Sequence, residues 1–310
     1  MGFVVRLAKS RGMCAGVERA ISTILKVIER YHGEKIYVLH EVVHNKHVVA
    51  DLSSAGAMFV EDLNDVPQGA VLIFSAHGVG VDTVHAAKEK NLRIIDATCP
   101  VVTAIHHKVN KASRANQEVV VIGHKGHQEV VGTIGQYEGN LENIKVILKE
   151  EEVSSLILKN EDSACFTTQT TLSVEETRNT VLALKKKYPK IKGPKADDTC
   201  RATQVRQQAI IELSKLCDLI LIAGSSNSSN SNRLREIAIK HGTPAYLVDD
   251  ESEISEEWIK GKRIVGLSAG ASAPQYVVDD IIAFLKQKGA TEIIETGTEL
   301  QERSFPLPNI

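Results

Sequence analysis

The chain has 310 residues, 43% apolar and 25% charged, enough for a large core in one to three domains. A net charge of −2, only 4% aromatics and no basic stripe interleaved with aromatic residues give nucleic acid nothing to bind, so none is expected as a partner. Apolar runs such as Val71–Phe74 and Leu219–Gly224 are far too short to cross a bilayer, and the N-terminus enters a strand almost at once, without a signal, transit or myristoylation segment.

A cytoplasmic protein without membrane association is therefore expected, and its five cysteines are read as thiols, metal ligands or core residues rather than disulfides. Strand and helix periods alternate along the whole chain. After the strand of residues 3–9 and Cys14 come a helix (about Val17 to Tyr31), a strand (35–43) and a polar loop at His44–Asn45. A helix (47–56), two strands (57–60 and 70–74), the loop 75–80, a helix (82–90) and the strand leading to Cys99 follow. The same parts recur from Cys99: a helix to Arg114, the strand 118–123, the loop 124–129, the strand 145–149, the stretch 163–166 running into Thr167–Thr171, and a helix (173–188) toward Cys200. From Cys200 they recur once more: a helix, the strand 218–224, the Ser/Asn loop 225–232, a helix (233–242), two strands (245–248 and 263–270), the loop 271–274, a helix (275–289) and a closing strand (291–294).

This pattern predicts an α/β fold of three similar domains with mainly parallel sheets around a pseudo-threefold axis and a central cavity. The expected boundaries are 14–98, 99–196, and 1–13 plus 197–290, with 291–310 as a C-terminal closing segment. The strand before Cys14 is read as the displaced partner of the strand before Cys99. In open parallel sheets the polar segments beyond the carboxyl ends of the strands take the ligand.

Cys14, Cys99 and Cys200 all stand where a helix starts. At the second of these, Thr98 is the expected N-cap and Pro100 suits the first helical turn. A helix start favours the thiolate, and three thiolates at equivalent points predict a metal centre, zinc or iron–sulfur. A cubane with three cysteines leaves one iron open to a substrate oxygen. Cys165 and Cys217 lie off the pattern, beside apolar runs, and are assigned to packing. The loops supply His44, His77, His127, Ser228, Ser229, Asn230 and Ser272, a set suited to a phosphate or diphosphate, although each alone would pass for a capped turn or surface side chain. Glu129 is the one carboxylate that stands out among these loops. It is either a proton donor or relay near His127, or an exposed side chain. Thr168, Gln169, Thr170 and Thr171 offer groups for a substrate hydroxyl or simply end a strand. No dinucleotide fingerprint, Walker loop or H-E-x-x-H motif is present.

The segments RGMCAGVERAI, HEVVHN, FSAHGV, DATCPVVT, GHKGHQEVVGT, TTQTTLSV, NSSNSNRL and AGASAP, in this order, resemble those of the 4-hydroxy-3-methylbut-2-enyl diphosphate reductases, from Arg11 to the FPLP segment near the end. Met13 departs from the Phe of many members, a tolerable apolar exchange. The resemblance implies three α/β domains around a cavity and a [4Fe-4S] cluster on Cys14, Cys99 and Cys200, able to decay to [3Fe-4S] when the open iron is lost. It implies a substrate diphosphate held by His44, His77, His127, Ser228, Asn230 and Ser272, with Ser229 beside them. Thr170 would lie near the substrate hydroxyl and Glu129 would take part in proton delivery, with His127 beside it. The implied reaction of the methylerythritol phosphate route to isoprenoids is a reductive dehydroxylation of this allylic diphosphate to isopentenyl and dimethylallyl diphosphates. Two electrons, from ferredoxin or flavodoxin, and two protons are consumed. The rivals are an iron–sulfur hydro-lyase acting on a small phosphorylated substrate, and a non-catalytic protein binding zinc or a phospholigand.

Overall fold

The structure, a computed structural model, describes residues 2–194, 198–299 and 304–310. In chain order the elements are β1 (Phe3–Ala8), α1 (Ala15–Arg30), β2 (Ile36–Leu39), α2 (Lys46–Ala55), β3 (Ala57–Val60), β4 (Val71–Phe74), α3 (Val81–Glu89), β5 (Arg93–Asp96), α4 (Pro100–Arg114) and β6 (Val119–Ile122). Then come α5 (Gln128–Ile134), β7 (Ile144–Ile147), β8 (Cys165–Thr168), α6 (Val174–Lys187), α7 (Arg201–Ser214), β9 (Leu219–Ala223), α8 (Ser229–Lys240), β10 (Ala245–Val248), the short α9 (Glu256–Ile259), β11 (Ile264–Ala269), α10 (Gln275–Gln287) and β12 (Ala290–Thr296).

The strands form three parallel sheets, ordered β3-β2-β4-β5, β7-β6-β8 and β10-β9-β11-β1-β12. One topology underlies all three. A first strand (β2, β6 or β9) sits in the middle, the next strand lies on one side of it, and the third crosses to the other side. The position beside that third strand is then filled by the segment that runs on to a cysteine. β5 pairs with β4 and leads to Cys99; Lys192 bridges Cys165 of β8 and leads toward Cys200; β1 pairs with β11 and leads to Cys14. The displaced-strand reading of β1 thus appears directly in the pairing. β12 has no counterpart in the smaller sheets and covers the far edge of β1. Of the expected boundaries, the one between 196 and 197 falls outside the described residues.

By internal contacts the chain forms two compact units. One comprises Met1–Glu18, Val43–Asp51 and Arg201–Ser304 and holds the five-stranded sheet; the other comprises Arg19–Val42, Leu52–Cys200 and Phe305–Ile310 and holds the other two. The central strands are buried along their whole length, as strands covered on both faces must be. Their apolar residues form the cores: Val120, Ile122 and Phe166 in one, Ile220 and Ile222 against Ile210 and Leu234 of α7 and α8 in another.

Candidate active site

In the unit that holds the two smaller sheets, β6 and β8 are parallel neighbours with Ile122 opposite Thr168, so their carboxyl ends open side by side. Beyond β6 the chain turns into α5, which carries Glu129 in its first turn; beyond β8 comes Thr170. Glu129 is only 3% exposed and Thr170 6%. The Thr170 N–H donates to Glu129 Oε1 (2.7 Å), and the Thr170 hydroxyl pairs with Glu129 Oε2 (2.8 Å). Burial pushes this carboxyl up to about 7; the two Thr170 bonds oppose the shift and the charge of Asp198 adds to it. The Thr170 hydroxyl donates to Oε2 of the ionised carboxyl; when Oε2 carries the acid proton instead, the same hydroxyl can accept it and pass on its own. His127 caps α5: its Nδ1 accepts the Glu129 N–H (3.2 Å), which leaves the neutral ring with its proton on Nε2. The His77 ring stands edge-on to it, 5.7 Å between centroids.

Close backbone packing holds these groups together. The Cys99 N–H donates to Ala76 O (3.0 Å), tying the cysteine to the loop that carries His77. Gly78, at φ +72°, is wedged so that a Cβ would stand 2.6 Å from the His106 ring and 2.9 Å from Thr98, and a Cβ on Gly132 of α5 would meet the Gly78 carbonyl at 2.9 Å. His106 is buried under this loop, and burial lowers it to about 4, so it is neutral at physiological pH. The Cys200 N–H donates to Thr170 O (3.1 Å). Thus Cys99, Cys200, His77, His127, Glu129 and Thr170 belong to one bonded neighbourhood of this unit. Thr168 and Gln169 do structural work instead: Thr168 bonds Asp198, and Gln169 joins the His124 N–H to the Thr171 hydroxyl.

The other unit brings together Cys14, His44, Ser228, Asn230 and Ser272. The Cys14 N–H donates to Ala271 O (3.1 Å), and the neighbouring Ser272 hydroxyl donates to His44 O (3.1 Å). Ser228 caps α8, its Oγ accepting the Ser231 N–H (3.3 Å), with Ser229 half-buried in the first turn. Asn230 is 4% exposed, yet neither its amide nitrogen nor its oxygen finds a partner in the protein, and the Asn45 amide nitrogen is likewise unpaired. Buried amides are seldom left so.

All three cysteines of the expected triad directly precede a helix and are half-buried. One detail differs from expectation. The N-cap of α4 is Cys99, not Thr98, because Pro100 at the first helical position forces the residue before it out of helical geometry (φ −57°, ψ 132°), while the Thr98 N–H is taken by the Asp96 carboxylate. Cys165 and Cys217 pack into apolar clusters, and burial raises both thiols, Cys217 to about 12. Among the described residues no three His, Cys, Asp or Glu side chains are grouped closely enough to hold one metal ion. A polynuclear cluster does not need such a grouping, since each thiolate binds its own iron.

The model of the LytB protein family matches residues 5–286 of this chain. The chain belongs to the LytB family. LytB relatives named 4-hydroxy-3-methylbut-2-enyl diphosphate reductase include one from Aeromonas salmonicida, 49% identical over 98% of this chain and 97% of its own length. Another, from Psychromonas ingrahamii, is 50% identical over 97% and 96%. The solved E-1-hydroxy-2-methyl-but-2-enyl-4-diphosphate reductase of Plasmodium falciparum superposes with a TM-score of 0.92 at 32% identity, covering 99% of this chain and 96% of that one. A second reductase structure of the family gives 0.64 at 30% identity. No helix among the described residues of this LytB chain is long and apolar enough to cross a membrane.

Three LytB residues near the site were not singled out from sequence. Asp198 accepts from the Thr167 hydroxyl (2.6 Å) and pairs with Lys108; Lys46 pairs with Asp250 (3.2 Å) at the start of α2; and Arg206 lies buried against the Cys14 loop. Only the acidic pair preceding Cys200 carried a sequence signal, two carboxylates just ahead of a predicted helix.

Proposed function

We propose that this chain reduces 4-hydroxy-3-methylbut-2-enyl diphosphate to isopentenyl and dimethylallyl diphosphates. The allylic C–O bond breaks, the oxygen leaves as water, and a C–H bond forms, consuming two electrons and two protons per turnover. A ferredoxin- or flavodoxin-type donor supplies the electrons. Family membership and the names of the curated relatives support the reaction. The buried Glu129–Thr170 pair, with its acid near neutrality, is the observation that carries it to residues of this chain.

Cys14, Cys99 and Cys200 would hold a [4Fe-4S] cluster. Soft thiols at three helix starts suit iron, and two other thiols raised by burial do not compete. When bound, such a cluster supplies one-electron transfers and an iron without a protein ligand that can act as a Lewis acid. The protein supplies the rest. His44, His77, His127, Ser228, Asn230 and Ser272, with Ser229 beside them, are the proposed holders of the diphosphate. The unpaired Asn230 amide and the N–H groups of α8 support that assignment. Fixing the diphosphate orients a small substrate against the acid. Hydroxide is a poor leaving group. Glu129 Oε2–H protonates it through the Thr170 hydroxyl, which gives its own proton outward as it accepts one. His127 donates to the diphosphate through its Nε2–H, while its Nδ1 keeps the Glu129 N–H in place.

Anaerobically purified protein should contain about four iron and about four acid-labile sulfide per chain. With a low-potential reductant it should convert the hydroxylated diphosphate to the two products. A dehydrated product formed without any reductant, in place of those two, would identify a hydro-lyase instead. Zinc in place of iron, with no turnover, would leave a binding protein.

A further inference from the structure

Cys99 and Cys14 are delivered differently. Cys99 follows β5 within three residues, whereas Cys14 ends an irregular segment after β1 whose turn is made at Gly12 (φ +68°). Such a segment holds one geometry only if its peptide groups are all occupied. On one side the Gly12 N–H donates to Ala269 O at the end of β11 and the Cys14 N–H to Ala271 O just beyond it, both 3.1 Å. On the other side stand the carbonyls of Gly12 and Met13.

Both are taken by Arg206. Its Nε and Nη2 donate to Gly12 O (3.0 and 2.7 Å), Nη2 also to Met13 O (3.0 Å), and Nη1 returns to Ala202 O of its own helix (3.0 Å). Arg206 is only 2% exposed, in a stretch of α7 otherwise buried through Ala209, Ile210 and Leu213. Burying a guanidinium is expensive, and an apolar residue would fill that core at no such cost. The planar fork fixes the direction of each N–H toward the two successive carbonyls, whereas an ammonium on a flexible stem holds its acceptors without a fixed geometry. α7 starts at the residue after Cys200, so the helix that follows one proposed ligand reaches back to clamp the segment before another.

We infer that Arg206 is a positioning residue for the metal centre: it locks the Gly12–Met13 peptides so that Cys14 is presented in one orientation, and it places a fixed positive charge beside that ligand. This inference rests on the assignment of Cys14 as a cluster ligand. A nearby cation favours the more negative, reduced form of a cluster, so charge and clamp have separable effects.

The test uses anaerobically reconstituted holoenzyme, wild type, Arg206→Lys and Arg206→Gln, read by iron release to a chelator and by the cluster midpoint potential from a redox titration followed by electron paramagnetic resonance. Both variants should release iron about ten- to a hundredfold faster than wild type. The potential should fall in Arg206→Gln and stay near the wild-type value in Arg206→Lys, a split that loosened packing alone does not produce. If Arg206→Gln does not fold, the lysine variant still decides, because it must pair fast iron release with an unshifted potential. Wild-type release and potential in both variants would overturn the inference while leaving the cluster reading intact. A Cys14→Ser protein that keeps all its iron, or a wild-type protein that takes up none, would overturn both.

Discussion

Two buried glutamates stand at opposite ends of β6. Glu118, just before the strand, is 4% exposed, and Glu129, beyond its far end, is 3% exposed. Burial pushes both carboxyls up, but they end on opposite sides of the normal value. Around Glu118 the Lys145 ammonium (2.8 Å) and the N–H groups of Asn160 and Lys159 (2.8 and 2.6 Å) overcome burial and hold the group ionised, pinning the segment after residue 158 to the sheet. Around Glu129 there is one backbone N–H and one hydroxyl, no cation among the described residues pairs with it, and it stays near 7. The partners, not the burial, decide which glutamate is a strut and which is an acid.

The sharpest way to break this comparison is Glu129→Gln. It preserves shape and both Thr170 contacts and removes the proton, so turnover should drop by about a hundredfold or more with the iron content unchanged. Next is Thr170→Val, which removes the proposed relay but leaves its N–H on Oε1. About a tenfold to hundredfold loss of kcat is expected, with Thr170→Ser restoring most of it. The wild-type pH profile follows from the same acid: activity should fall about tenfold per unit above roughly pH 7.

The two glutamates should also differ in stability. Glu118→Gln breaks a buried pair and should cost about 3 kcal/mol in denaturant unfolding at pH 7, with activity per folded molecule intact. The lowered pKa of Glu118 means its contribution is present above the unfolded value of 4.5 and is lost as pH falls, so the gap to wild type should close in acid. For Glu129 the sign reverses. A raised pKa gives stability that is complete below 4.5 and is lost as pH rises through about 7, so Glu129→Gln should gain on wild type between pH 5 and pH 8. The smallest effect is expected at Cys165→Ala and Cys217→Ala, which should keep all cluster iron, against clear loss in serine variants of Cys14, Cys99 or Cys200.

Much of this was legible in the sequence because parallel α/β sheets leave a periodic trace: an apolar strand, a polar loop beyond it, then a capped helix. That trace is enough to place His77, Ser228 and Ser272 beyond strand ends, and to match β1, by its place in the repeat, to the strand before Cys99. Glu129 is different. The sequence singles it out as the one carboxylate among the polar loops but leaves its exposure open, and only the bonds from Thr170 beyond β8 show that it is a buried acid. Arg206 left no such trace, because a side chain that bonds to backbone carbonyls of a distant segment has no period. The cap of α4 was misplaced by one residue because proline's effect on its neighbour outweighs threonine's capping preference.

The central claim is that Glu129 is the proton donor of a reductive dehydroxylation. The most direct measurement is single-turnover product formation by the reduced, cluster-loaded wild type, Glu129→Gln and Glu118→Gln proteins at pH 7. The account predicts isopentenyl and dimethylallyl diphosphates from wild type and Glu118→Gln, and product formation slowed by about a hundredfold or more in Glu129→Gln. Equal rates in Glu129→Gln and wild type would contradict it.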